Sequence, residues 1–185
     1  MSIWTSRKTA IAVTAVCVAA STLLGSHRSL AAVRRGVEAA IDQGADDSGL
    51  SIGGDLANAC AIAANLHTVA SKYIQATHPD DLDSLAYARE RLEEAKTTGE
   101  RKAAFQELLT QCRQVQSDLT GLPQVSEADL IYLSGFRVDL EAAADTIQRD
   151  PYNDLARQFN DETLGKFPVG ALGRLTGIKP LETFD

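Results

Sequence analysis

The chain has 185 residues, room for one domain of ordinary size with an extension. Aromatics supply only 5% of it against 44% hydrophobic residues overall, so a core has to be built from Leu, Ile, Val and Ala, which suits close-packed helices better than a sandwich. The net charge is −7; from Glu38 onward 13 basic residues face 25 acidic ones, a balance that repels phosphate backbones and excludes nucleic acid as a partner.

Arg7, Lys8, Arg28, Arg34 and Arg35 all precede Glu38, the first acidic residue, and flank an uncharged run at 9–25. Thr9, Ala10, Val13, Val16, Val18, Leu23 and Leu24 are its transmembrane candidates. At 1.5 Å per residue the run reaches ~26 Å, slightly short of a ~30 Å hydrocarbon core. Arg7 and Lys8 can snorkel, and Trp4 suits the interface. The rival reading is a cleaved secretory signal, although His27-Arg28-Ser29-Leu30 gives no clean small-x-small step. Basic residues on both flanks leave the side of the membrane open. Ala10/Thr14, Ala15/Ala19 and Cys17/Ser21 are small residues at four-residue steps, a pattern that permits self-association.

Beyond the run, Leu30, Val33, Val37, Ala40 and Ile41 form an apolar stripe that continues the helix. Residues 42–54, with four glycines, read as a loop. A second helix is predicted from about Asp55 to Thr77, burying Leu56, Ala59, Cys60, Ala63, Leu66, Ala70, Tyr73 and Ile74, and ending at His78-Pro79. A third starts at Asp80 or Asp81 and uses Leu82, Leu85, the Arg89 stem and Leu92; Thr97-Thr98-Gly99 kinks or interrupts it before Phe105, Leu108, Leu109, Cys112, Val115 and Leu119. After the Gly121-Leu122-Pro123 turn, Ser126 with Asp129 resembles a capping box. The fourth helix carries Leu130, Leu133, Phe136, Leu140, Ala144 and Ile147; Pro151 predicts a kink or short break, with helix resuming to about Leu164.

Tyr152-Asn153, Phe159-Asn160, Phe167-Pro168, Gly177, Pro180 and Phe184 are spaced in a way that resembles the C-terminal signature of the LemA family of bacterial membrane proteins. Asn65-Leu66, Tyr73 and Ala88-Arg89 are similar to that family's pattern on its long helices. The chain departs from it in the glycine loop before Asn65, in Phe159 where a second Tyr is usual, and at Pro151. The resemblance implies an antiparallel helical bundle on a single-pass anchor and supplies no biochemical activity.

Tyr152, Asn153, Phe159 and Asn160 fall on one helix face two turns apart. Either the aromatics bury and the asparagines hydrogen-bond the backbone of the tail, or the face binds a partner. The tail at 166–185 takes Phe167, Leu172, Leu175, Ile178 and Phe184 as apolar anchors; it either covers one end of the bundle or docks a partner or the membrane surface. Cys60 and Cys112 are expected as buried thiols, with a disulfide as the alternative in an oxidising compartment. Asp42, Asp46 and Asp47 fail the EF-hand pattern because Gly53 stands where a bidentate Glu is needed, and Asp80, Asp81 and Asp83 read as charge at a helix N-terminus. His67 and His78 have no zincin spacing, and no catalytic motif is present. No cofactor, metal or catalytic residue is assigned.

The expected fold is therefore all-α: an antiparallel, coiled-coil-like up-and-down bundle of about four long helices after an N-terminal transmembrane helix, with an irregular C-terminal tail. The expected segments are 1–28 (basic flank and span), 29–165 (bundle) and 166–185 (tail packed on the bundle). The expected role is a non-enzymatic scaffold or adaptor in the bacterial plasma membrane, with other membrane or envelope proteins, or a second copy, as partners. The alternative is a secreted or periplasmic ligand-binding bundle released after signal cleavage.

Overall fold

The computed structural model describes residues 7–45 and 49–184. Trp4, Asp46, Asp47 and Asp185 lie outside the described residues. The fold is all-α, with no strand among the described residues. The chain divides into two compact units, Met1–Ala39 with Leu155–Leu181 and Ala40–Asp154 with Glu182–Asp185.

The second unit is built around α2 (Ile52–Ile74), which packs against α3 (Pro79–Glu94), α4 (Thr98–Leu119) and α5 (Glu127–Arg149). Short connections make successive helices antiparallel neighbours. Ala59, Ala63 and Ala70 are buried on α2, and their small side chains let three neighbours approach one helix. Leu66, Leu82, Leu85, Leu108, Val115 and Leu119 fill the space around them.

Helix boundaries follow from capping chemistry. The second helix starts at Ile52, earlier than the glycine count suggests, because the Ser51 hydroxyl accepts the Gly54 N–H at 3.1 Å. Gly53 then lies against the end of α1 (Arg7–Gln43): a Cβ there would stand 3.2 Å from Asp42 Cα. The third predicted helix is two helices. Thr97 and Glu100 form a full capping box, which ends the α3–α4 link and starts α4. Two backbone N–H groups, of Thr97 and Lys96, hold the Glu100 carboxyl below its ordinary range. At the α5 terminus Asp150 is extended and buried, and its carboxylate accepts the Tyr152 N–H at 2.8 Å. Asp150 thus caps α6 (Pro151–Gln158), with Pro151 in the first helical position, where its missing N–H costs nothing.

In the first unit a π-helical turn, Phe159–Leu164, is followed by α7 (Val169–Leu175), which packs against it. The tail, expected to be irregular, forms this short helix because its glycines are the contact. A Cβ on Gly170 would fall 2.0 Å from the Leu164 carbonyl oxygen, so backbone meets backbone there. Gly177 ends α7 at φ 76°, with the Ile178 N–H bonded to the Gly173 carbonyl at 2.9 Å, a Schellman closure that needs a residue without Cβ.

That glycine face explains a correction. Phe167 and Leu175, expected as buried anchors, are 89% and 76% exposed. With Gly170 and Gly173 turned inward, the large side chains point out. Leu172 and Ile178 are half-buried, and Phe184 is buried in the second unit. On α1, Leu30, Ala40 and Ile41 are buried while Val33 of the same predicted stripe is exposed. Leu130, placed on the core face of α5, is also exposed, because Leu133, Leu140, Ala143 and Ile147 define the buried face.

α1 is long and apolar enough to cross a membrane, and none of its most apolar stretch is buried. Ala10, Val13, Val16, Val18, Leu23 and Leu24 are exposed and Thr9 half-buried.

Candidate functional site

The residues singled out at 152–160 hold the tail by its backbone. In the second unit Tyr152 is fully buried, and its hydroxyl donates to the Glu182 carbonyl at 2.8 Å. Its ring meets Phe184 edge-on with centroids 6.3 Å apart. Asn153 is buried beside it. Its Oδ1 accepts the Phe184 N–H at 2.8 Å, and its Nδ2 donates to the carbonyls of Ile147 and Gln148 at 3.1 and 3.2 Å. Those two carbonyls belong to the last turn of α5 (Glu127–Arg149): Pro151 has no N–H to offer Ile147, whose carbonyl keeps only a 3.4 Å bond from the Asp150 N–H, and the Tyr152 N–H that would serve Gln148 goes to the Asp150 carboxylate.

In the first unit Phe159 is buried, and the half-buried Asn160 pairs with one backbone residue twice. Its Nδ2 donates to the Leu181 carbonyl and its Oδ1 accepts the Leu181 N–H, both at 2.8 Å. A primary amide is the side chain that can meet both groups of an extended residue at once. Phe167-Pro168, joined by a cis peptide, and Pro180 are exposed.

Among the helix positions, Leu66 and Ala88 are fully buried, whereas Asn65 is exposed. Arg89 lies 3.5 Å from Glu93. Tyr73 does more than fill the core. Its hydroxyl donates to Asp129 Oδ2 at 2.5 Å and accepts the Ser126 N–H at 3.3 Å, while the Ser126 hydroxyl accepts the Asp129 N–H. Asp129 is too short to reach back to Ser126, and the Tyr73 phenol spans the gap. The phenol hydrogen bond, with help from Ser126 and Lys72, holds the Asp129 carboxyl below its ordinary range.

Cys60 and Cys112 are buried and unbonded. Burial pushes the Cys60 thiol up to about 11 and the Cys112 thiol up to about 12, so both stay protonated and poorly nucleophilic at neutral pH. Asp42 is ion-paired with Arg101 at 2.7 Å. Asp55, a first-turn acid of α2, has its carboxyl raised by burial and by the charge of Asp150.

One grouping was missed from sequence. His78, Asp81 and Asp118 bring ligand atoms within 4.8 Å of one another. The α3–α4 hairpin causes it, placing the end of one helix beside the start of the other. His78 Nδ1 stands 3.4 Å from Asp81, and Gln114 donates to Asp118 at 3.0 Å. Burial and the neighbouring Asp81 raise the Asp118 carboxyl. One imidazole and two carboxylates are the donor set present that could hold a divalent cation. Spacing alone gives no signal for it, since Asp118 lies a whole helical hairpin away from His78.

A cleft of about 320 Å³ opens beside α2, lined by Leu56, Ala57, Cys60, Leu92, Glu93 and Arg101. No protein-family model, curated protein or solved structure matches the chain.

Proposed function

We propose that this chain is a membrane-anchored, non-enzymatic scaffold of the LemA type, whose acidic helical bundle meets other membrane or envelope proteins close to the bilayer. The observation that carries the reading is α1 (Arg7–Gln43). Its apolar stretch is unburied, with Val16, Val18 and Leu24 at 60% or more exposure. An apolar helix of that length left open to water is costly unless lipid surrounds it. The test is extraction of bacterial membranes with alkaline carbonate, followed by intact mass of the retained chain. Retention with residues 1–25 intact is expected; release into the wash overturns the anchor. Crosslinking in intact membranes then identifies neighbours, and recovery of bulk soluble proteins alone would count against a scaffold.

A second reading, a released ligand-binding bundle, is favoured by the cleft beside α2, whose volume falls in the range of small-molecule sites. A mature chain lacking about the first thirty residues, as signal cleavage leaves it, would select that reading.

A further inference from the structure

We infer that the turn carrying Phe167, flanked by Lys166 and Arg174, is a second membrane contact that lies on anionic lipid beside the foot of α1. This rests on the reading of α1 as an uncleaved anchor.

The first support is the path of the chain in the first unit. Arg34 Nε donates to the Lys179 carbonyl at 3.1 Å, and Leu181 is held by Asn160. One helical turn nearer the apolar run, Leu30 is buried where Gly173 and Leu164 meet. A Cβ on Gly173 would stand 2.9 Å from Leu164 Cδ2 and 3.6 Å from Leu30 Cδ1. From Asn160 to Leu164 the chain therefore descends along α1, and from α7 to Lys179 it climbs back. Phe167 falls between the two legs in sequence, and the path inferred from these contacts puts it at the end nearer residues 9–25. Leu30 itself is only ~7.5 Å along the helix axis beyond Gly25, which is headgroup depth.

The second support is exposure. Phe167 is 89% exposed and Leu175 76%, on a tail whose inner face is glycine. Isolated surface apolar residues are ordinary, but an exposed Phe beside a span is placed where burial in the interface is available.

The third is charge. The first unit carries nine basic residues against three acidic, +6, leaving nine against twenty-two, −13, for the rest of the chain. Between Glu162 and Glu182 the charged residues are Lys166, Arg174 and Lys179. Cations around an exposed aromatic match an anionic lipid surface, and the acidic remainder of the chain does not.

Single-tryptophan variants of the full chain test the inference in vesicles of phosphatidylcholine, with and without phosphatidylglycerol, carrying acyl-chain bromines. Trp4→Phe supplies the background, Val16→Trp reports the span, Ile131→Trp on α5 reports water, and Phe167→Trp reports the turn. Phe167→Trp is expected to be quenched by shallow bromines, more strongly with phosphatidylglycerol. Adding Lys166→Glu and Arg174→Glu should remove that lipid preference. If Val16→Trp is quenched and Phe167→Trp behaves like Ile131→Trp, the inference is overturned while the anchor stands. If Val16→Trp is not quenched, the anchor reading falls and this inference with it.

Discussion

Asn153 Oδ1 accepts the backbone N–H of Phe184 at 2.8 Å while its Nδ2 closes two carbonyls at the end of α5. One buried amide therefore serves a broken helix and the returning tail together. Asn153→Ala leaves the Phe184 N–H and the Gln148 carbonyl without this partner and the Ile147 carbonyl with only its 3.4 Å bond from Asp150, and the expected loss is about 2–3 kcal/mol of stability. Asn160→Ala removes two half-buried bonds and should cost about 1–2 kcal/mol. Urea unfolding of the full chain in detergent, followed by circular dichroism, measures both; equal midpoints for wild type and Asn153→Ala would refute the assignment.

Ending the chain after Pro180 removes the partners of Tyr152, Asn153 and Asn160 in one step. It also uncovers the Tyr152 ring by taking away Phe184. A thermal midpoint lowered by more than either asparagine variant is expected. An unchanged midpoint would mean the tail contributes nothing to folding.

Gly170→Ala places a methyl group 2.0 Å from the Leu164 carbonyl oxygen, which is backbone and cannot swing aside. The expected cost is about 1–3 kcal/mol, as for overpacking elsewhere. Gly135→Ala in α5 meets nothing within 4 Å and should stabilise by roughly 0.5–1 kcal/mol through helix propensity. Opposite shifts in urea midpoint for the two variants are the checkable outcome.

Tyr73→Phe tests the link between α2 and α5. The folded-state pKa of Asp129 is depressed, chiefly by the Tyr73 hydroxyl. Its contribution is therefore present above the unfolded carboxyl value of ~3.9 and is lost as pH falls through the folded value. Wild type should exceed Tyr73→Phe in urea midpoint at neutral pH, and the gap should narrow as pH falls below ~4. A gap that widens in acid would contradict the hydrogen bond.

Cys60 and Cys112, with thiols at about 11 and 12, should resist maleimide in the native full chain at neutral pH and react fully in urea. Intact mass after unfolding and alkylation should be the same with and without prior reductant. A mass deficit without reductant would reveal a disulfide.

Much of the helical layout can be read from spacing, because Leu, Ile and Ala at three- and four-residue steps on α2 and α4 have one consistent core face. The break at Pro151 is legible too, since proline fixes it. Boundaries governed by a single hydroxyl are harder. Gly53 and Gly54 resemble loop residues until Ser51 is seen to cap them, and Thr97 with Glu100 spells a capping box inside an otherwise unbroken apolar pattern. Phe167 and Leu175 look like anchors by hydrophobicity; that glycines take the inner face depends on backbone approach, which composition does not encode. The grouping of His78 with Asp118 needs the hairpin itself.

Tyr73 gives with its hydrogen and receives with its oxygen, and its ring spans the distance from one rod to the next one's first turn. Serine and threonine have the same dual chemistry without the reach; phenylalanine has the reach without the chemistry; histidine can do both, but on a shorter arm. Mutational tolerance at that position should therefore be narrow, because the two hydrogen bonds that join these helices there need both the reach and the chemistry of the phenol.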